Sequence, residues 1–186
     1  MTFYGFLLES LATLAVIGVP LALMLALALG SAPVRERIRQ SPNLSTAALG
    51  FAWLVATSAM LGSLYLSEVV GFPPCVLCWY QRIAMYPLVV LLGGWLGSAL
   101  GRGSLPWKGL WRLVMPLPVI GLVIALYHTF IQLQPAANVV SCSEGAPCSV
   151  RHVAVFGFVS IPVLSAAAFV MIIVSLAVVA VHERSE

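Results

Sequence analysis

The chain has 186 residues, 61% of them hydrophobic and 8% charged, with a formal net charge of +3. So little charge cannot cover a water-soluble surface, which leaves an integral membrane protein. The small excess of Lys and Arg is clustered between apolar stretches, so it reads as a membrane-orientation signal and gives no support for nucleic-acid binding.

A helix crossing a hydrocarbon layer of roughly 30 Å needs about 20 apolar residues. In chain order five stretches meet that length: about 3–29, 46–67, 75–100, 110–133 and 154–181. No Lys or Arg precedes the first, and it outruns the apolar core of a signal peptide, so it is expected to be a retained helix. Arg35, Arg37 and Arg39 follow it. Arg102, Lys108 and Arg112 lie between the third and fourth stretches, and Arg184 follows the fifth. Basic residues favour the cytoplasmic side, which predicts an N-terminus outside, a C-terminus inside, and outward-facing segments at 68–74 and 134–153. Ala48, Ala52 and Ala56, and then Gly93, Gly97 and Gly101, repeat at four-residue spacing, a pattern expected to serve close packing within one monomer. Pro87, Pro116 and Pro118 interrupt the backbone bonding of their helices, and Pro162 bends only a helix entrance.

The four cysteines, Cys75, Cys78, Cys142 and Cys148, avoid the deep parts of these stretches and all fall toward the outward face. That placement favours chemistry over packing, and an oxidising compartment lets disulfides persist. Phe72-Pro73-Pro74 predicts that the third spanning helix begins near Cys75, where unpaired backbone N–H groups stabilise a thiolate. Arg82 follows Cys78 by four residues, on the same helical face and about 6 Å deeper. From the next spanning helix, His128 and Gln132 share one face, with His128 about 10 Å below Pro135. Ionisable groups meeting at one depth inside a membrane are functional candidates. Cationic and N–H donors beside a thiol suit a flat, lipid-soluble ring carrying carbonyl oxygens, which describes a quinone. Two other readings compete. Four cysteines on one side suit a structural four-thiolate zinc site, and a transporter would need more polar residues within its spans. The expectation is an enzyme with no metal.

Three segments carry a family resemblance: Pro74-Cys75-Val76-Leu77-Cys78-Trp79-Tyr80-Gln81-Arg82, His128-Thr129-Phe130-Ile131-Gln132-Leu133-Gln134-Pro135, and Phe156-Gly157-Phe158-Val159-Ser160-Ile161-Pro162. In this order they resemble the bacterial DsbB/BdbC disulfide-bond formation proteins, and Trp79-Tyr80-Gln81-Arg82-Ile83 looks most like the BdbC branch. The resemblance covers about residues 46–181. It implies an all-α membrane protein with a four-helix transmembrane core, here 45–186, to which 1–44 adds one N-terminal spanning helix and a basic cytoplasmic loop. It also implies a thiol:quinone oxidoreductase in the bacterial cell membrane, monomeric, serving a DsbA-like thioredoxin-fold thiol oxidase. Vitamin K epoxide reductase-like quinone reductases also carry two cysteine pairs, but their motifs differ.

Carried over residue by residue, the resemblance makes Cys142 the sulfur that receives the partner thiolate. Cys148 then leaves, attacks Cys75, and releases Cys78 beside ubiquinone or menaquinone. Arg82 supports the Cys78 thiolate and the quinone, and His128 and Gln132 bond the ring oxygens. Arg151 matches a family arginine, but membrane anchoring accounts for it equally well. Two departures stand out: the extra first helix, and the five residues between Cys142 and Cys148, which resemble BdbC and not the longer DsbB loop.

Overall fold

The computed structural model describes residues 3–41, 43–102, 107–134, 147–149, 151 and 153–183. Its helices, in chain order, are α1 (Phe3–Ala28), α2 (Ala32–Arg39), α3 (Leu44–Leu64), α4 (Val76–Arg102), α5 (Trp107–Val114), α6 (Pro116–Leu133) and α7 (Ile161–Glu183). Among the described residues five stretches are long and apolar enough to cross a membrane: Gly5–Ala28, Leu44–Val69, Val76–Gly101, Trp111–Leu133 and Ile161–His182. The chain is an all-α, multi-pass membrane protein.

The helices α3, α4, α6 and α7 pack in a ring, and α1 lies outside it against α7. Burial separates centre from edge, because 56% of the most apolar window of α7 is buried and only 11% of that of α1. Among the α1 residues whose side chains are described, only Leu8, Ala12 and Ala15 are buried, one narrow stripe, while Leu14, Ile17, Leu21 and Met24 face outward as lipid-facing residues do. The shared core joins Leu49, Ala52 and Ala56 of α3, Leu88 and Leu92 of α4, Ala125 of α6, and Phe169, Ile172 and Leu176 of α7.

Small residues set two close approaches. A side chain on Gly93 would strike the Trp53 indole, whose Nε1–H donates to the Val89 carbonyl at 3.1 Å and ties α3 to α4. At Gly97 and Gly101 no described residue lies within 4 Å of a would-be Cβ, so among the described residues only the first glycine of that repeat meets a neighbouring helix. Gly121 does so more severely, since the Phe169 ring occupies the space a Cβ would need.

Two local departures shape the cysteine-bearing end. After α3 the chain winds one π-turn, Tyr65–Val69, closed by Val70 N–H to the Tyr65 carbonyl at 3.1 Å. Gly71, at φ +81°, then turns the backbone into the non-helical Phe72-Pro73-Pro74. The second departure concerns the last span, which begins at Ile161 and not near 154. Residues 155–159 instead form a tight loop, with Val155 and Val159 exchanging backbone bonds of 3.0 and 2.9 Å. Two successive positive φ values, 53° at Phe156 and 80° at Gly157, make a helix impossible there. Pro162 therefore occupies the first turn of α7, where its missing N–H costs nothing. Pro116 likewise opens α6, so it separates α5 from α6 and does not interrupt a helix.

Candidate active site

Cys75 stands just ahead of α4, its carbonyl accepting from Trp79 N–H at 3.1 Å, and Cys78 follows within the first turn. The two sulfurs lie 3.2 Å apart, and the Cys75 thiol donates to Cys78. Cys75 precedes the spanning segment, and its thiol is pushed up to about 12, first by that hydrogen bond and next by burial. Cys75 is thus held as a thiol with Cys78 as its acceptor.

Arg82 is buried and spends its guanidinium on α3. Its Nε–H donates to Ser63 Oγ at 2.8 Å and its Nη2–H to the Ser63 carbonyl at 2.9 Å. The guanidinium carbon also lies 5.1 Å from the centre of the Trp79 ring, within cation–π range. Ser63 lies two residues before the π-turn, so the irregular end of α3 and the opening turns of α4 meet through this contact.

His128, only 2% exposed, connects three segments. Its Nδ1 lies 3.0 Å from Gln81 Nε2, and its Nε2 lies 3.1 Å from the Cys148 carbonyl and 3.7 Å from Cys75 Sγ. An amide nitrogen only donates and a carbonyl only accepts, so this pattern puts the ring proton on Nε2 and leaves Nδ1 accepting from Gln81. His128 therefore holds the backbone of one cysteine against the sulfur of another. Cys148 is buried in the same small cluster as Cys75, Leu77 and Ile131. Arg151 secures the arrangement by donating Nη2–H to the Gln132 carbonyl at 3.0 Å, which ties the segment after Cys148 to the end of α6.

A cavity opens beside these groups. Cys75, Cys78, Arg82, His128 and Gln132 all line it, with Ser63, Leu66 and Phe72 from one side and Ile161 and Pro162 from another. The expected set of Cys75, Cys78, Cys148, Arg82, His128 and Gln132 thus converges on one place, whereas Cys142 lies outside the described residues. Gln81 and Ser63 are additions. Gln81 carries the mark already applied to Arg82 and His128, a polar side chain within an apolar span.

The thiol pair and a ring nitrogen of His128 lie within 4.8 Å of one another, a sulfur-sulfur-nitrogen set that could hold a thiophilic ion. A four-thiolate zinc site would need Cys142 as well. In the described residues the third donor beside Cys75 and Cys78 is an imidazole, already engaged by Gln81 and the Cys148 carbonyl.

Residues 45–179 match the family model of the disulfide bond formation protein DsbB. The chain is 44% identical over 124 residues to disulfide bond formation protein C of Bacillus subtilis strain 168, spanning 66% of this chain and 85% of that protein. It is 41% identical over 138 residues to a probable disulfide formation protein C 2 of Bacillus cereus, spanning 74% and 94%. A probable disulfide formation protein C 2 of Bacillus anthracis is 43% identical over 128 residues, spanning 69% and 86%. No solved structure gives a significant match. The matched region contains the core α3, α4, α6 and α7, and α1 and α2 precede it. With the cysteine motif, the buried His128 and the helical bundle all inside that region, the chain belongs to the DsbB family of membrane disulfide bond formation proteins.

Proposed function

We propose that the protein is a protein-dithiol:quinone oxidoreductase, which reoxidises a DsbA-like thioredoxin-fold partner outside the cytoplasm and passes the electron pair to membrane quinone. Supporting this reading above all is the juxtaposition of a thiol pair 3.2 Å apart with a cavity lined by Arg82, His128 and Gln132. The lining fits a quinone in kind: apolar walls from Leu66, Phe72 and Ile161, and N–H donors on Arg82, His128 and Gln132. Ser63 engages two of the five Arg82 N–H donors, so the guanidinium fork retains capacity to bond a carbonyl oxygen. A bound quinone would supply the acceptor for two electrons and two protons.

In the proposed order the partner thiolate attacks Cys142 and displaces Cys148. Cys148 then bonds to Cys75, the Cys75–Cys78 bond breaks, and the electron pair leaves on Cys78, at the cavity. The contact between the Cys148 segment and Cys75 through His128 supports that middle step. The clusters Arg35, Arg37, Arg39 and Arg102, Lys108, Arg112 support an orientation with the cysteines on the extracytoplasmic side.

The test is anaerobic mixing of the full-length protein in detergent with a reduced thioredoxin-fold dithiol protein and excess ubiquinone or menaquinone analogue. Catalytic loss of quinone in step with partner oxidation is expected. Oxidation of the partner that stops once the protein's own disulfides are used up would overturn the quinone half of the proposal.

A further inference from the structure

Gln81 and His128 form a buried pair that the thiol pair alone does not require. Gln81 Nε2 lies 3.0 Å from His128 Nδ1, and the opposite edge of the imidazole meets both Cys75 Sγ and the Cys148 carbonyl. An amide can turn over in place, exchanging its nitrogen for its oxygen. In one orientation it donates to Nδ1 and holds a neutral ring. In the other, Oε1 accepts from Nδ1–H while Nε2–H stays on the Cys148 carbonyl, so the ring carries two protons without moving. A residue fixed as an acceptor or a donor could hold only one of these states.

We propose that His128 is the acid that protonates Cys75 when this sulfur leaves in exchange with Cys148, and that Gln81 is the positioning residue that holds both protonation states. This rests on the thiol–disulfide exchange proposed above. The step begins with Cys75 and Cys148 joined. An incoming thiolate bonds to Cys148 Sγ, the Cys75–Cys148 bond breaks, and the electron pair leaves on Cys75 Sγ, which takes the Nε2 proton of the imidazolium. The ring becomes neutral with its remaining proton on Nδ1, facing Gln81 Oε1, and the proton lost by the attacking thiol restores Nε2–H. Cys75 needs such a donor because it is held as a thiol up to about 12 and is a poor leaving group as a bare thiolate. Among the described residues the other titratable or charged groups around His128 are Cys75, Cys78 and Arg82 from the α4 side, Tyr127 from α6, and Cys148 and Arg151 from the segment before α7. The cavity residues of α3 and α7, Ser63, Ile161 and Pro162, carry none.

The experiment mixes the oxidised full-length chain with a reduced thioredoxin-fold dithiol protein, without quinone, and follows a single turnover by acid quench and alkylation, reading the release of Cys75 from its disulfide with Cys148. General acid catalysis contributes about 10²–10⁴-fold, so His128→Ala should slow the turnover at least about a hundredfold, and Gln81→Leu at least about tenfold. Gln81→Glu should recover most of that loss, because a carboxylate accepts from Nδ1–H. Mere packing predicts the reverse, since Leu suits a buried site and an ionised Glu does not. Nitrogen-15 spectra of labelled histidine should show the Nε2–H form in the wild type and its loss in Gln81→Leu. Turnover of Gln81→Leu at or above that of Gln81→Glu would overturn the relay. Failure of the wild-type chain to oxidise the dithiol protein at all would instead overturn the exchange on which it rests.

Discussion

Arg82 and Ser63 are joined twice: one guanidinium grips both the hydroxyl and the carbonyl of a single serine, at 2.8 and 2.9 Å. The contact fixes the guanidinium beside the cavity and satisfies a carbonyl at the helix end where the π-turn begins.

Arg82→Ala should therefore weaken quinone use strongly. A charge-assisted hydrogen bond contributes roughly 1.5–3 kcal/mol, so steady-state quinone reduction should fall by about tenfold to a hundredfold. Single-turnover oxidation of the partner should survive Arg82→Ala, since the protein's existing disulfides serve it. Equal slowing of both reactions would show that Arg82 acts by holding α3 to α4, and its assignment to the quinone should then be dropped.

Cys75 should be the slow thiol of the reduced pair. Its value is raised to about 12 chiefly by the hydrogen bond to Cys78. The sign follows directly: folding favours the protonated form, so its contribution to stability is present below the ordinary thiol range and is lost as pH rises through the raised value. At pH 8 a maleimide should modify Cys75 far more slowly than an exposed cysteine, with the rate rising as pH increases. Cys78→Ala removes the main cause and should speed Cys75 modification by about tenfold, since one pKa unit changes the thiolate fraction tenfold. Wild-type Cys75 reacting like an exposed thiol would refute this.

Gly121 and Gly97 offer a paired test of the bundle. The Phe169 ring fills the place of a Cβ at Gly121, whereas at Gly97 the space is open. Gly121→Val should cost about 1–3 kcal/mol through overpacking and lower the unfolding temperature in detergent. Gly97→Ala should leave it unchanged or raise it slightly, because alanine favours helix. Equal effects at the two positions would show that α6 and α7 do not approach at Gly121.

These contrasts mark how far the residues alone could be read. Five spans follow from length and hydropathy, and the convergence of Arg82 with His128 follows from counting helical rise from each helix end. Burial of Ala52 and Ala56 matches their spacing, but Gly97 and Gly101 keep the same spacing on an open face. Spacing says which residues share a face and leaves open what that face meets. Val153-Ala154-Val155-Phe156 is apolar enough to extend α7, and only the backbone shows that it turns first. Gln81 was hidden for another reason: its role depends on the rotation of α4 against α6, which brings its amide onto Nδ1. The π-turn leaves no mark in Tyr65-Leu66-Ser67-Glu68-Val69, an ordinary helical composition.

Orientation is testable through accessibility from the outside of intact cells. A tag at the N-terminus or near Cys142 should be reached by an impermeant reagent, and tags near Arg37, Lys108 and the C-terminus should not. Outside access near Lys108 would reverse the topology and remove the cysteines from the oxidising side.

The order of exchange makes the sharpest demand on the cysteines. Cys148 is 1% exposed, its carbonyl held by His128 and its following segment held by Arg151, so a partner protein cannot easily approach its sulfur from outside. Cys75 is shielded in the same cluster. In the proposed order Cys142 is the sulfur that meets the partner. With Cys148→Ser, a thiolate engaged with Cys142 has lost the group that resolves it, and a mixed disulfide between Cys142 and a thioredoxin-fold partner should accumulate on a non-reducing gel. Adding Cys142→Ser should abolish the adduct, while adding Cys75→Ser should leave it intact. Trapping through Cys75 at equal yield would sink the proposed order, because the partner would then reach the inner pair directly and the contact between Cys148 and His128 would have no part in electron flow.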